Sequence, residues 1–205
     1  FFNIAPGLAR RAARESGGCE LSEYGENLAV VLHEIEKADP KQLAEICSWL
    51  GSAVPGFESV IPVRLQIEGT WAFQVVEKRI KSGLNPQSVS DGTVRLLTLM
   101  VIAAWVSKKA TLVCIEEPEN GVHPQLAESF VGALRTVSAE RQFLVTTHSP
   151  SFLDYLQPEE LLLVDKEDGF TAVRRAADVD DIKVFARKFS LGDLWSQGML
   201  KGIPA

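Results

Sequence analysis

Between positions 111 and 147 the chain reads as a short apolar run, a longer stretch with helical spacing, and a second short apolar run. Thr111 to Ile115 and Gln142 to Thr147 have the length and composition of central strands, and Gln125 to Ser138 begins after Pro124, a residue suited to the first turn of a helix. A strand, a helix and a strand in that order close into a parallel crossover. That one pattern restricts the chain to the α/β class, with a largely parallel central sheet flanked by helices.

The flanking sequence adds smaller units. Tyr24 to Ala38 places Leu28, Val31, Leu32 and Ile35 on one helical face, and Asp39-Pro40 ends that helix and starts another running through Leu50, which predicts a helical hairpin. Gly51 to Gly56 interrupts the spacing. Val60 to Glu68 and Trp71 to Glu77 then alternate apolar and polar about Gly69-Thr70, as an antiparallel hairpin does. Thr93 to Ser107 is apolar all round and predicts a buried helix. Leu161 to Val164 and Phe170 to Val173 read as two further strands about Glu167-Asp168-Gly169, followed by a short helical tail from Asp181 toward Trp195. The expected division is a helical insertion or lid over 1–56 and a lobe over 57–205.

Composition narrows the function classes. The 205 residues carry a formal net charge of -6, so any nucleic-acid contact must come from a local patch such as Arg10, Arg11 and Arg14, or Lys108 and Lys109, positions that read more simply as solvated helix faces. Cys19, Cys47 and Cys114 are odd in number and widely spaced, which points to neither a disulfide framework nor a zinc site and fits a reducing cytoplasm. Leu96 to Val106, the longest apolar run, is far below the roughly 20 residues that cross a bilayer, so no membrane partner is expected.

The chemistry gathers where the two central strands end. Glu116, Glu117 and Glu119 stand within four residues at a strand's C-terminal edge, and a cation or an exposed turn must relieve their repulsion. That edge is also where open parallel sheets bind ligands. The second strand runs out at His148, so neighbouring strands would bring an imidazole beside the glutamates, able to share one water. Each feature alone has a plain structural explanation. Glu116 to Glu119 reads as a solvated turn, His148 as a strand-end histidine, and Ser90-Asp91-Gly92 as a helix N-cap. His123, before Pro124, reads as a cap or packing residue; His33 reads as a surface residue. Trp49, Trp71, Trp105 and Trp195 are scattered and read as core or interface anchors.

In combination and in order, these motifs resemble the ABC and SMC ATPase superfamily. Thr111 to Glu119 is similar to a Walker B strand, Gln142 to Pro150 to the switch-histidine strand, and Ser90-Asp91-Gly92-Thr93-Val94-Arg95 to the signature motif. Asn120-Gly121-Val122-His123-Pro124 resembles the D-loop of the AAA-type branch related to RecF and the OLD nucleases. The likeness is specific from Ser88 to Leu156 and looser across the rest, including the Leu191 to Pro204 tail. It implies the C-terminal lobe of a P-loop NTPase that uses ATP and Mg2+.

By resemblance, Glu116 holds magnesium through water, Glu117 is the general base that orients the attacking water, and His148 meets the γ-phosphate. Ser90, Asp91 and Gly92 would cap the nucleotide of a second copy across a homodimer, with Asn120 and Gly121 beside them; a serine and backbone N–H groups at a helix N-terminus suit phosphate. Two departures matter. Most ABC proteins have aspartate where Glu116 stands, a change shared by the RecF/OLD-like branch. No G-x-x-x-x-G-K-[ST] occurs, nor any Gly-Lys pair, so the resemblance implies that this segment needs a phosphate-binding loop supplied from elsewhere and is inactive alone. The function so implied is ATP hydrolysis driving DNA repair or anti-phage defence, with a nuclease or other effector domain and DNA as partners. The alternatives are a non-catalytic docking lobe and, less well supported because its ligands would come from one turn, a nuclease metal site at Glu116, Glu117 and Glu119.

Overall fold

The computed structural model describes residues 1–15 and 20–200; the expectation for Cys19 and the end of the tail beyond Leu200 lie outside them. The chain divides into two compact units, Phe1–Thr147 and His148–Ala205.

The first unit begins with α1 (Pro6–Ala9) and β1 (Ala13–Arg14), followed by α2 (Leu28–Ala38) and α3 (Pro40–Ala53). The predicted face of α2, formed by Leu28, Val31, Leu32 and Ile35, is fully buried. Asp39 caps α3 by accepting from the Gln42 N–H at 3.1 Å, with Pro40 in the first turn. Both helices pack on an antiparallel sheet of β2 (Phe57–Arg64), β3 (Thr70–Glu77) and β4 (Ile80–Leu84), ordered β1-β3-β2 with β4 also on β3. The β2–β3 hairpin is as expected, turning at Gly69 with φ +64. His33 is not a free surface residue: its ring stacks on Trp71 at 3.5 Å between centroids, because α2 lies against β3.

α4 (Asp91–Ala104) follows, then β5 (Leu112–Glu116), α5 (Pro124–Val137) and β6 (Gln142–Thr146). Every residue of α4 from Leu96 to Ala104 is buried, as its uniform hydrophobicity requires. β5 and β6 pair in parallel from Leu112↔Gln142 to Glu116↔Thr146. A third parallel element comes from the other direction in sequence. Phe2 bridges Ile115, its N–H donating to the Cys114 carbonyl and its carbonyl accepting from the Glu116 N–H, each at 2.9 Å. β5 is therefore flanked on both edges. Among the described residues the antiparallel sheet is the larger, because β1 and β4, too short to show a period in sequence, add to the β2–β3 hairpin.

The parallel layer has unequal faces. Val113 and Ile115 are buried on one, whereas Leu112 and, on β6, Leu144 are 46% and 47% exposed on the other, together with the half-buried Cys114.

The second unit contains α6 (Pro150–Leu153), β7 (Leu162–Glu167), β8 (Phe170–Arg175), α7 (Asp180–Phe185) and α8 (Leu191–Ser196). β7 and β8 form the expected hairpin, with Asp168 and Gly169 at φ 51 and 87, the two positive-φ positions of a tight hairpin turn. Leu153, Leu163, Ala176, Ile182, Leu191, Leu194 and Leu200 form its core. The tail is two helices rather than one because Ser190 and Asp193 make a capping box that starts a new helix.

Candidate nucleotide-hydrolysis site

Glu116 is the last residue of β5 and faces Thr146 in register. Its Oε2 accepts from the Asn3 side-chain amide at 2.8 Å. Nothing in the sequence around Asn3 announces this, because a single bridge at Phe2 leaves no periodic trace. The surroundings are acidic: the Tyr24 hydroxyl is held above its ordinary pKa, first by the charge of Glu23, then by its hydrogen bond to Glu23 and by burial, with Glu26 and Glu116 adding to the shift.

The chain leaves β5 through a constrained turn. The Glu117 N–H donates to the Thr146 carbonyl at 2.9 Å, and Glu117 adopts φ +40, a left-handed conformation that costs a non-glycine residue about 1–3 kcal/mol and tends to mark functional sites. Asn120 holds it there. Its side-chain amide donates to Glu117 Oε2, and its N–H donates to the Glu117 carbonyl at 3.1 Å. Glu119 takes a different path, its Oε1 accepting from the Thr147 hydroxyl.

Repulsion among these carboxylates is relieved by a residue that sequence reading passed over. Arg95, one turn into α4, reaches under the turn and donates to the Glu117 carbonyl at 3.4 Å. Burial pulls the Arg95 pKa below its ordinary value, opposed by the charges of Glu119, Asp91 and Glu117. Arg95 Nε and Glu119 Oε2 are buried and make no hydrogen bond.

The signature-like turn lies against the same loop. Ser90 Oγ accepts from the Thr93 N–H at 3.1 Å, capping α4, and lies 2.8 Å from the Thr93 hydroxyl. If the Thr93 hydroxyl is the donor, the Ser90 hydroxyl remains able to donate outward. A Cβ on Gly92 would stand 3.1 Å from the Gly121 carbonyl oxygen and 3.7 Å from Val122 Cα. Gly92 thus has a reason internal to the chain: it lets the 120–122 turn approach the N-terminus of α4. Gly121 itself has φ +70, with open space where a Cβ would be. His123 caps α5 through Nδ1, 3.3 Å from the Gln125 N–H. Ser90, Asp91, Gly92, Glu116, Glu117, Asn120 and Gly121 therefore all belong to one contiguous region of the first unit. His148 opens the second unit, two residues beyond Thr146 in the chain.

Among the described residues no three His, Cys, Asp or Glu side chains form a metal cage. The oxygen donors at Glu116 instead suit a hard cation that keeps most of its waters and shares a phosphate, as magnesium does. Asp91 is far from buried, with its side chain 73% exposed, but its partner Arg10, placed by the sequence among surface basic residues, has a side chain only 8% exposed and also donates to the Pro6, Pro86 and Val89 carbonyls.

Residues 66–154 match the family described as "AAA domain, putative AbiEii toxin, Type IV TA system". No curated protein matches the sequence. Among solved structures, the chain superposes on one from work on ATP-driven dimerisation and DNA-stimulated activation of SMC ATPases, with a TM-score of 0.56, 15% identity, and coverage of 78% of this chain and 99% of that one. It also superposes on an SMC head bound to the C-winged-helix domain of ScpA, with a TM-score of 0.54, 17% identity, and coverage of 75% and 47%. A third is the SMC head with an extended coiled coil bound to the C-terminal domain of ScpA, derived from Pyrococcus furiosus, with a TM-score of 0.53, 17% identity, and coverage of 80% and 44%. The chain shares the fold of SMC ATPase heads, and residues 66–154 resemble an AAA domain. It spans nearly all of the first of these chains and less than half of the other two. No helix among the described residues is long and apolar enough to cross a membrane.

Proposed function

We propose that this chain is the water-activating half of an ABC-type ATP hydrolase that closes as a sandwich of two copies. The observation that carries the reading is Glu117 held left-handed at the end of a central parallel strand, with Asn120 on its carboxylate and Arg95 on its carbonyl. A base that must orient one water benefits from a backbone that cannot relax. Glu116, steadied by Asn3, holds magnesium through water, and the ion when bound neutralises charge on the phosphates. His148, which follows β6, meets the γ-phosphate, and Ser90 with the N–H groups opening α4 caps the nucleotide of the other copy. This segment alone does not turn over ATP. The uncovered Leu112 and Leu144 face supports a covering layer contributed by a segment that brings the phosphate loop.

The work gated by hydrolysis is DNA repair or defence against phage, carried out through a separate effector. Support comes from the DNA-stimulated activation named for an SMC relative and from the toxin–antitoxin description of the matched family. Stimulation of turnover by DNA is the direct assay for that part.

The base is tested by Glu117→Gln in the complete ATPase. Turnover should fall by at least about a hundredfold, the scale of a general base, while ATP binding and ATP-driven dimerisation persist. Unchanged turnover removes Glu117 from the role.

A further inference from the structure

We infer that Arg10 is a positioning residue that fixes the signature turn and so acts on the nucleotide held by the opposite copy; the inference rests on the sandwich reading above. Its side chain is only 8% exposed, and its guanidinium donates to four acceptors. Nε donates to the Pro6 carbonyl at 3.2 Å, Nη1 to the Pro86 and Val89 carbonyls at 2.8 and 3.1 Å, and Nη2 to the Asp91 carboxylate. Pro86 and Val89 bracket the short turn that leads into Ser90, and Asp91 is the first residue of α4. One planar cation thus gathers the residues on both sides of Ser90.

The origin of that cation gives the clamp its meaning. Arg10 ends α1, which packs on α4, and α1 follows directly on the segment whose Phe2 pairs with β5 and whose Asn3 holds Glu116. Between these anchors the Asn3 and Ala5 N–H groups donate to the Glu23 and Tyr24 carbonyls at 3.0 and 3.1 Å, so the segment is tied along its length. A short stretch of chain therefore joins the carboxylate edge of one copy to the turn that would cap its partner's nucleotide. A fork of fixed donors suits this task, whereas the compact ammonium of lysine cannot bridge two carbonyls and a carboxylate in one plane.

Mixed dimers of the complete ATPase test the inference, each pairing differently altered copies. With Arg10→Ala on one copy and Glu117→Gln on the other, both defects fall on the same composite site, and about half the wild-type turnover should remain. With both changes on one copy beside a wild-type copy, each composite site carries one defect, and turnover should fall at least about tenfold. Ser90→Ala in the same pairings serves as the reference for a residue acting across the dimer. Arg10→Lys should behave as Arg10→Ala, and the complete ATPase with Arg10→Ala in both copies should still bind ATP. The reverse pattern, or loss in both pairings while the Ser90→Ala dimers follow the expected one, overturns the inference and leaves the sandwich reading intact. If Ser90→Ala also fails to act across the dimer, the sandwich reading is what falls.

Discussion

At the level of single residues, the acidic turn is held by partners that lie far away in sequence, and their removal has separable consequences. Arg95 neutralises the interior side of the Glu117 to Glu119 turn, so Arg95→Met should leave Glu119 partly buried without the charge of Arg95 and lower stability by about 2 kcal/mol, less than for a fully buried pair because the site is partly open to water. Chemical denaturation gives that number directly. Turnover per folded molecule should fall as well, since the Glu117 backbone loses its hydrogen bond; an unchanged specific activity would assign Arg95 a purely structural part. Gly92→Ala brings a methyl to 3.1 Å from the Gly121 carbonyl and forces the two loops apart by a few tenths of an ångström. The expected result is a loss of turnover larger than the loss of stability, read by comparing kcat with the unfolding midpoint. The glutamates, Ser90 and Gly92, which the structure brings into one region, and His148, which it places at the start of the second unit, could be picked out in sequence because their motif spacing is local. Asn3, Arg10 and Arg95 could not, because what defines them is a partner that only folding brings near.

Elements show the same division. The β5-α5-β6 crossover and the all-apolar α4 could be read directly, since burial on two faces or all round leaves a plain hydrophobic signature. The single parallel bridge at Phe2, the two-residue β1 and the short β4 could not, because a period needs several residues to appear. Glycines in helices provide a controlled comparison across the two units. Gly132, exposed in α5 with open space at its Cβ position, should gain about 0.5–1 kcal/mol on Gly132→Ala. Gly192 in α8 should behave oppositely, since a Cβ there would overlap the Pro150 carbonyl oxygen and the Asp154 carboxylate that accepts from its N–H. Gly192→Ala should weaken the packing of α8 on α6, seen as faster amide exchange in the second unit with the first unit unaffected. In the helical hairpin, burial pushes the Cys47 thiol above its ordinary pKa. A group raised in this way favours folding while it stays neutral, so its contribution is full below the unfolded thiol pKa and is lost as pH rises through the folded value. Cys47 should therefore resist alkylation in the native protein at neutral pH and react at once in denaturant, which mass spectrometry of the labelled peptide reports.

For the whole molecule, the decisive feature is the unequal clothing of the parallel layer. Val113 and Ile115 are covered, but Leu112 and Leu144 are nearly half exposed on the opposite face, which also carries Glu116 at its end. Parallel sheets are ordinarily covered on both faces, because each exposed leucine forfeits part of the roughly 2 kcal/mol that full burial contributes. The face that lacks a cover is thus the one that bears the candidate magnesium ligand, which is where a segment carrying a phosphate loop must arrive if the two are to meet on one nucleotide. Leu112→Lys with Leu144→Lys separates this account from simple surface hydrophobicity. In this chain by itself the double change should leave stability within about 0.5 kcal/mol of the parent, as surface substitutions do. In the complete ATPase it should lower stability by several kcal/mol and abolish ATP binding, because two ammonium groups would be buried without partners between sheet and helix. A complete ATPase that tolerates both lysines and still binds ATP would show that the phosphate loop reaches the nucleotide from another side.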